Sequence, residues 1–326
     1  MSRRLRTLLL ILGVALLALV IAQVGLRTLV DQVRALSWRL PLLLIPYALV
    51  TLLDTMGWKY AFGAQTGKLR FGPLLASRIA GEAVNLTMPS ASLAGEPVKA
   101  YLLRRWIPLD EGIASVVIAK TVITLAQIPF ALSGVALAVF VLTVPPRMIW
   151  ALVAALVLGS AFTLVFYRIQ IRGFFRWLLG ILDRLNWCPA FLDARRGRLF
   201  ALDRRIANFY QSHPREFGLS FIFHLLGWVT QSLEVYLALW LLGLSVTLAV
   251  AIAIEVLASV LKQAAFIVPG NLGVQEGGNV VIFAAFGFGA GTGLTFSLIR
   301  RLRELFFSGL GWLILFLLAP RAAAEE

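Results

Sequence analysis

Apolar runs of about twenty residues, the length a helix needs to cross roughly 30 Å of hydrocarbon, recur from end to end of the chain with short basic connections between them. They predict helices at about 8–26, 40–62, 112–143, 148–167, 217–242, 246–266, 278–293 and 296–318. The fold class that follows is all-α: a polytopic integral membrane protein with about eight transmembrane helices. The run at 112–143 is too long for a perpendicular span and contains Pro129, so a tilt or kink is expected there. The first run, Leu8 to Leu26 behind Ser2-Arg3-Arg4-Leu5-Arg6, is long for a signal peptide and lacks a convincing small-residue cleavage site, so it reads as a retained first helix.

Two stretches break the pattern. One runs from Ser77 to Arg105; the other, AFIVPGNLGVQEGGN, runs from Ala265 to Asn279. Non-helical backbone at membrane depth needs cover from protein or access to water, because each orphan peptide group in lipid costs several kcal/mol. Both stretches therefore read as re-entrant or broken segments lining a cavity. They share a skeleton: Glu96 follows Pro89 by seven residues and Glu276 follows Pro269 by seven, with Gly95 and Gly273 between, and Glu82 or Lys262 stands seven before each proline. Broken segments in corresponding halves point to a binding site at a repeat interface. The expected organisation is one transmembrane domain over 1–326, with a first half 1–167, a basic amphipathic linker 168–215 and a second half 216–326.

Composition narrows the function. The chain of 326 residues is 60% hydrophobic and only 14% charged, with a mean hydropathy of +0.87, outside the range of a water-soluble domain. Its net charge of +14 sits largely in arginines flanking apolar helices, which implies positive-inside topology and lipid headgroup contact rather than nucleic acid. Both termini are then cytoplasmic. Segment 168–215 carries ten arginines against three aspartates, and Phe174, Trp177, Leu178, Ile181, Leu182 and Leu185 repeat in it at helical spacing; such a helix lies against an anionic leaflet. One cysteine, Cys188, excludes an internal disulfide, and two histidines, His213 and His224, cannot build a histidine metal site. No metal, cofactor or soluble-enzyme motif is indicated.

The strings GEAVNLTMPSASLAGEPVKAYLLRR, HLLGWVTQSLEVYLALWLLG, VPGNLGVQEGG and SLIRRLREL resemble the flippase-like membrane proteins, the family that includes the transmembrane region of lysylphosphatidylglycerol synthases, and within it the hopanoid-biosynthesis-associated branch. The resemblance spans about Ser77 to Trp312 and implies a repeat-built protein of the bacterial inner membrane that moves or handles lipids between leaflets. It implies site residues too. Gly81, Glu82, Asn85 and Pro89 match the family's polar entry, then Gly95-Glu96 with Lys99. Pro269, Gly270, Leu272, Gly273, Glu276 and Gly277 match in the second half, followed by Arg301 and Glu304. Ala94 and Asn271 stand where relatives carry glycine, Pro97 follows the glutamate, and Lys120 occupies a stretch where relatives tend to be acidic. These departures bear on substrate more than on fold.

Apart from any family, ionisable residues inside spans carry weight, since a charge at the bilayer centre costs about 2.5–3.5 kcal/mol on insertion scales. Lys120, Thr124 and Gln127 share a helical face, as do His224, Gln231 and Glu234, then Glu255, Ser259 and Lys262, and finally Tyr47, Thr51, Asp54 and Trp58. A polar cavity explains all four stripes together. Individually, His224 also reads as a packed or interfacial histidine and Asp54 as a helix-to-helix hydrogen bond. Arg300, Arg301 and Arg303 fall near the outer end of the last predicted helix, against the positive-inside tendency. A guanidinium fork suits a phosphate, or pairing with Glu276 or Glu304. Of all these, Glu96 and Glu276 are the carboxylates expected to face the cavity.

The leading expectation is a lipid transporter without covalent chemistry, with membrane lipids and lipid-synthesis enzymes as partners. An intramembrane transferase with Glu96 or Glu276 as general base and a scaffold docking lipid-synthesis enzymes through 168–215 are the alternatives.

Overall fold

The computed structural model describes residues 37–88, 93–141, 146–264 and 273–323, and among these every regular element is helical. A 3-10 segment, Ser37–Leu43, leads into α1 (Leu44–Tyr60); α2 (Phe71–Thr87), α3 (Gly95–Leu102) and α4 (Leu109–Val141) follow. Next come α5 (Pro146–Arg172), α6 (Phe174–Arg184), the single turn α7 (Ala190–Asp193) and α8 (Arg196–Ser212). The chain continues through α9 (Pro214–Leu241), α10 (Leu248–Ala264), α11 (Val274–Ala285) and α12 (Ala290–Ala323). Four of the described helical stretches, Pro41–Tyr60, Leu109–Phe140, Leu152–Arg172 and Pro214–Leu241, are long and apolar enough to cross a membrane. The expected span at 8–26, and Pro89, Pro269 and Gly270, lie outside the described residues.

One expectation holds and one needs correction. The stretch 77–105 is interrupted, with α2 ending at Thr87 and α3 starting at Gly95. Its polarity is that of surfaces turned toward protein, with Ser77, Asn85 and Lys99 all buried. The helix predicted at 278–293 is α11, already begun at Val274 and ended at Ala285. Gly287 takes a φ of +81° there, the Phe288 N–H donates back to the Phe283 carbonyl at 2.9 Å, and the two rings meet edge-on at 6.4 Å. That is a Schellman ending with its hydrophobic contact. The last helix then runs 34 residues and carries the three arginines in its first half, away from its ends.

Packing follows a crossed pattern. Four consecutive helices, the third the shortest and the fourth the longest, occur once as α1 to α4 and again as α9 to α12. The most extensive contact among the described helices is α1 on α9; α2 packs on α12, and α10 packs on α4. The second helix of each set therefore docks on the long helix that closes the other. Two clusters of buried apolar side chains fill the crossings, one around Leu239, Ile254, Phe283 and Phe296, the other around Trp58, Leu74, Leu103 and Val122. α5 packs mainly on α4 and α8, and its side chains Val157, Leu158 and Phe162 are exposed, as a lipid-facing helix requires.

Between the halves, α6 and α8 form a small basic unit. Asp203 of α8 is buried and caps α6, accepting the backbone N–H of Phe175 at 3.0 Å and of Arg176 at 2.9 Å. Arg196 pairs with both Asp183 and Asp193, and its hydrogen bond holds the Asp183 carboxyl below the ordinary carboxylate range.

Candidate functional site

The charged residues inside the bundle gather into two networks. The first surrounds the break between α2 and α3. Asn85, near the end of α2, ties the break together: its side-chain oxygen accepts the Gly95 N–H at 2.7 Å and its amide donates to Glu96 at 3.0 Å. Gly81 and Gly95 let the two helices touch backbone to backbone, since a Cβ on Gly95 would stand 1.9 Å from the Gly81 carbonyl oxygen. Lys99 then reaches back with its Nζ 2.7 Å from Glu82 and 2.9 Å from Glu96, and Lys120 of α4 approaches Glu96 at 3.8 Å. One turn before Glu82, Arg78 donates to Asp54 of α1 at 2.7 Å. The other Asp54 oxygen lies 2.7 Å from Nδ1 of His224 on α9. Three carboxylates thus meet three permanent cations. A small open cleft of about 40 Å³ borders the network, lined by Arg78, Glu82, Glu96, Lys99, Lys120 and His224 among others.

The second network lies around α12. Arg300 bonds to Glu255 and stands 3.3 Å from Glu234; Arg303 bonds to Glu234 and stacks over the Tyr47 ring at 4.1 Å. Arg301 forks between Glu276 at 2.7 Å and Glu304 at 3.0 Å. Gln231 donates to Glu255 at 3.0 Å, and Lys262 closes the set 3.6 Å from Glu304. Four carboxylates meet four cations here. Glu234, Glu255, Glu276, Arg300 and Arg303 are all buried; the Arg301 side chain is 18% exposed and that of Lys262 46%.

Glu276 differs from expectation. It is fully buried rather than exposed to a cavity, with one oxygen accepting the Gly273 N–H at 2.7 Å and the other bound by Arg301. It sits at the third position of α11 and supplies half of a capping box; Gly273, at φ +77°, occupies a conformation that suits glycine. The arginines likewise bind protein carboxylates, which realises the pairing expected with Glu276 and Glu304, while Nη2 of Arg301 is buried without a hydrogen-bond partner.

Glu96 and Glu276 keep a common relation. Each stands in the first turn of the short helix after a break and engages a cation on the following long helix, Lys120 on α4 or Arg301 on α12. A sequence model of the lysylphosphatidylglycerol synthase transmembrane region matches residues 7–311. The chain belongs to that family. A UPF0104 membrane protein of Methanothermobacter thermautotrophicus (strain Delta H) is 25% identical over 314 residues, covering 90% of this chain and 89% of its own. No solved structure matches.

In this member of the lysylphosphatidylglycerol synthase transmembrane-region family, the structure adds residues that the sequence-based site set lacks. Arg78 is the main one. Asp54 and His224 fall in predicted polar stripes, but their pairing across 170 residues does not follow from the stripes. A signal for it exists: Asp54-x-x-Gly57-Trp58 on α1 and His224-x-x-Gly227-Trp228 on α9 are the same string with one change. Both tryptophans donate to α4, Trp58 to the Ser115 hydroxyl at 3.2 Å and Trp228 to the Ile123 carbonyl at 3.0 Å.

Proposed function

We propose that this protein moves a polar-headgroup lipid between leaflets without changing it covalently, and that the first network is where the headgroup enters. The supporting observation is the cleft at the α2–α3 break: five charged side chains and a histidine line it, and Glu82 and Lys120 are its exposed members, with side chains 38% and 44% accessible. In the state described, about 40 Å³ holds water but no lipid headgroup. The α2–α3 hairpin must therefore separate from α4 for a headgroup to enter, exchanging the Glu96 pairings for pairings with the lipid.

The transferase reading is weaker at Glu276, whose two oxygens are both engaged. Glu96 shares one oxygen among Lys99, Asn85 and Lys120, which favours a carboxylate held as an ion-pair partner over a general base. The basic unit α6–α8 reads as the contact with an anionic cytoplasmic leaflet, with Trp177, Leu185 and Trp187 exposed there. With Cys188 replaced by serine, a cysteine at Gly197, where no atom crowds the Cβ position, should label from the cytoplasmic side; labelling from the other face alone would overturn this orientation. The decisive assay is purified protein in liposomes carrying labelled hopanoid, isoprenoid or phospholipid. Leaflet exchange lost in Glu96→Gln supports transport, a new covalent product supports the transferase, and neither outcome leaves the scaffold.

A further inference from the structure

The α1–α9 crossing holds a titratable pair in a fitted socket. His224 is 1% exposed and Asp54 6%, and each sits opposite a glycine of the other helix. A Cβ on Gly57 would come within 2.7 Å of the His224 ring, and one on Gly227 within 2.9 Å of the Asp54 carboxylate. The two helices thus exchange side chains through matched i, i+3 sockets, Asp54 with Gly57 and His224 with Gly227. Arg78 already pairs with the Asp54 carboxylate, and Nδ1 of His224 lies within hydrogen-bond distance of its second oxygen. The other ring nitrogen, Nε2, is buried without a hydrogen-bond partner, on a residue that lines the cleft.

We propose that His224, oriented by Asp54, is a proton-binding site that couples one proton to the passage of an anionic headgroup through the cleft. The inference rests on the lipid-moving reading and supplies its energy source. Imidazole is the side chain whose ordinary titration falls between about pH 5 and 8. The charged groups facing it are Asp54 from α1, Arg78 and Glu82 from α2, Glu96 and Lys99 from α3, and Lys120 from α4. These six sum to zero. A proton on Nε2 leaves the lining with one uncompensated positive charge away from bulk water, and an entering anion removes that excess. Proton and anion each raise the other's affinity by the same factor. Neither alone suits the site.

The test uses the full chain in phosphatidylcholine vesicles with a trace of tail-labelled phosphatidylglycerol, a singly charged lipid, and an imposed difference of one pH unit. One proton moving with one monoanion is electroneutral, so the label should concentrate in the leaflet facing the alkaline side by up to about tenfold, the driving force of one pH unit. His224→Asn places an amide N–H where Nδ1 was, keeping a partner for Asp54 while removing the titration; its label should show no pH-driven bias. His213→Gln should keep the bias. Because the chain has two histidines, the His213→Gln protein with nitrogen-15 histidine reports His224 alone, and its ring should pass from the Nδ1–H neutral form to imidazolium as pH falls.

Exchange in the native protein that ignores the gradient, a bias that survives in His224→Asn, or a ring fixed in one neutral form from about pH 8 to 5 would each overturn the proposal. Absence of any exchange in the native protein would instead count against the lipid-moving reading, and the spectroscopic arm would still decide whether His224 takes a proton.

Discussion

The two charge networks are equally balanced, three against three around α3 and four against four around α12, yet water reaches them differently. The first uses lysines at Lys99 and Lys120, opens to a cleft, and keeps Glu82 partly exposed. The second is built on arginine forks whose carboxylates Glu234, Glu255 and Glu276 are each at most 1% exposed. A flexible ammonium re-forms its contacts as its surroundings move, whereas a planar fork holding two carboxylates fixes them. On the proposed function, stability belongs to the second network and movement to the first, even though Glu96 and Glu276 look interchangeable in sequence.

Substitutions that hit the two networks alike should separate them. The largest effect belongs to Arg303→Leu, which removes the cation bonded to Glu234 and so weakens the compensation of a buried charge, at a cost of about 3–5 kcal/mol. Detergent-solubilised protein should lose its monodisperse peak, and a variant as heat-resistant as the native chain would break the assignment. Next comes the matched pair Glu276→Gln and Glu96→Gln. The first should cost about 1–3 kcal/mol by leaving Arg301 with Glu304 alone; the second should melt closer to the native protein but exchange no lipid. The reverse outcome, a fully active Glu96→Gln beside an inactive but stable Glu276→Gln, would exchange the two roles. Smallest of all, Lys262→Gln and Lys120→Gln remove the half-exposed end of each network and should each stay within about 1 kcal/mol of native stability. Only Lys120→Gln should slow leaflet exchange.

Much of this was legible in the chain. Apolar run length marked α1, α4, α5 and α9 to within a few residues, except that α5 continues to Arg172, and the polar interruption within 77–105 marked the break between α2 and α3. Periodicity also placed Lys120, Glu234, Glu255 and Lys262 on faces that turn out to hold ion-pair partners. What periodicity cannot convey is which face meets which. Arg78 sits in an ordinary helical register, and its importance arises only because α2 brings it to Asp54. Likewise Glu276 is read as cavity-facing beside a glycine-rich break, but its burial against Arg301 of α12 depends on how α11 docks. The buried arginines looked misplaced because their helix was expected to start at about 296; it begins at Ala290 and is long enough to carry them within the bundle.

The order of synthesis gives the second network a further meaning. Glu234 and Glu255 precede their partners Arg303 and Arg300 by 69 and 45 residues. At about 5–20 residues per second, these carboxylates enter the bilayer and wait on the order of seconds before any guanidinium arrives. Over that interval the nascent chain carries unmatched acid groups in its membrane-embedded part, and α2 lacks the helix it docks on. A chain that stops short of Arg300 therefore keeps Glu234 and Glu255 without the guanidiniums that compensate them, and should be less stable than the complete chain.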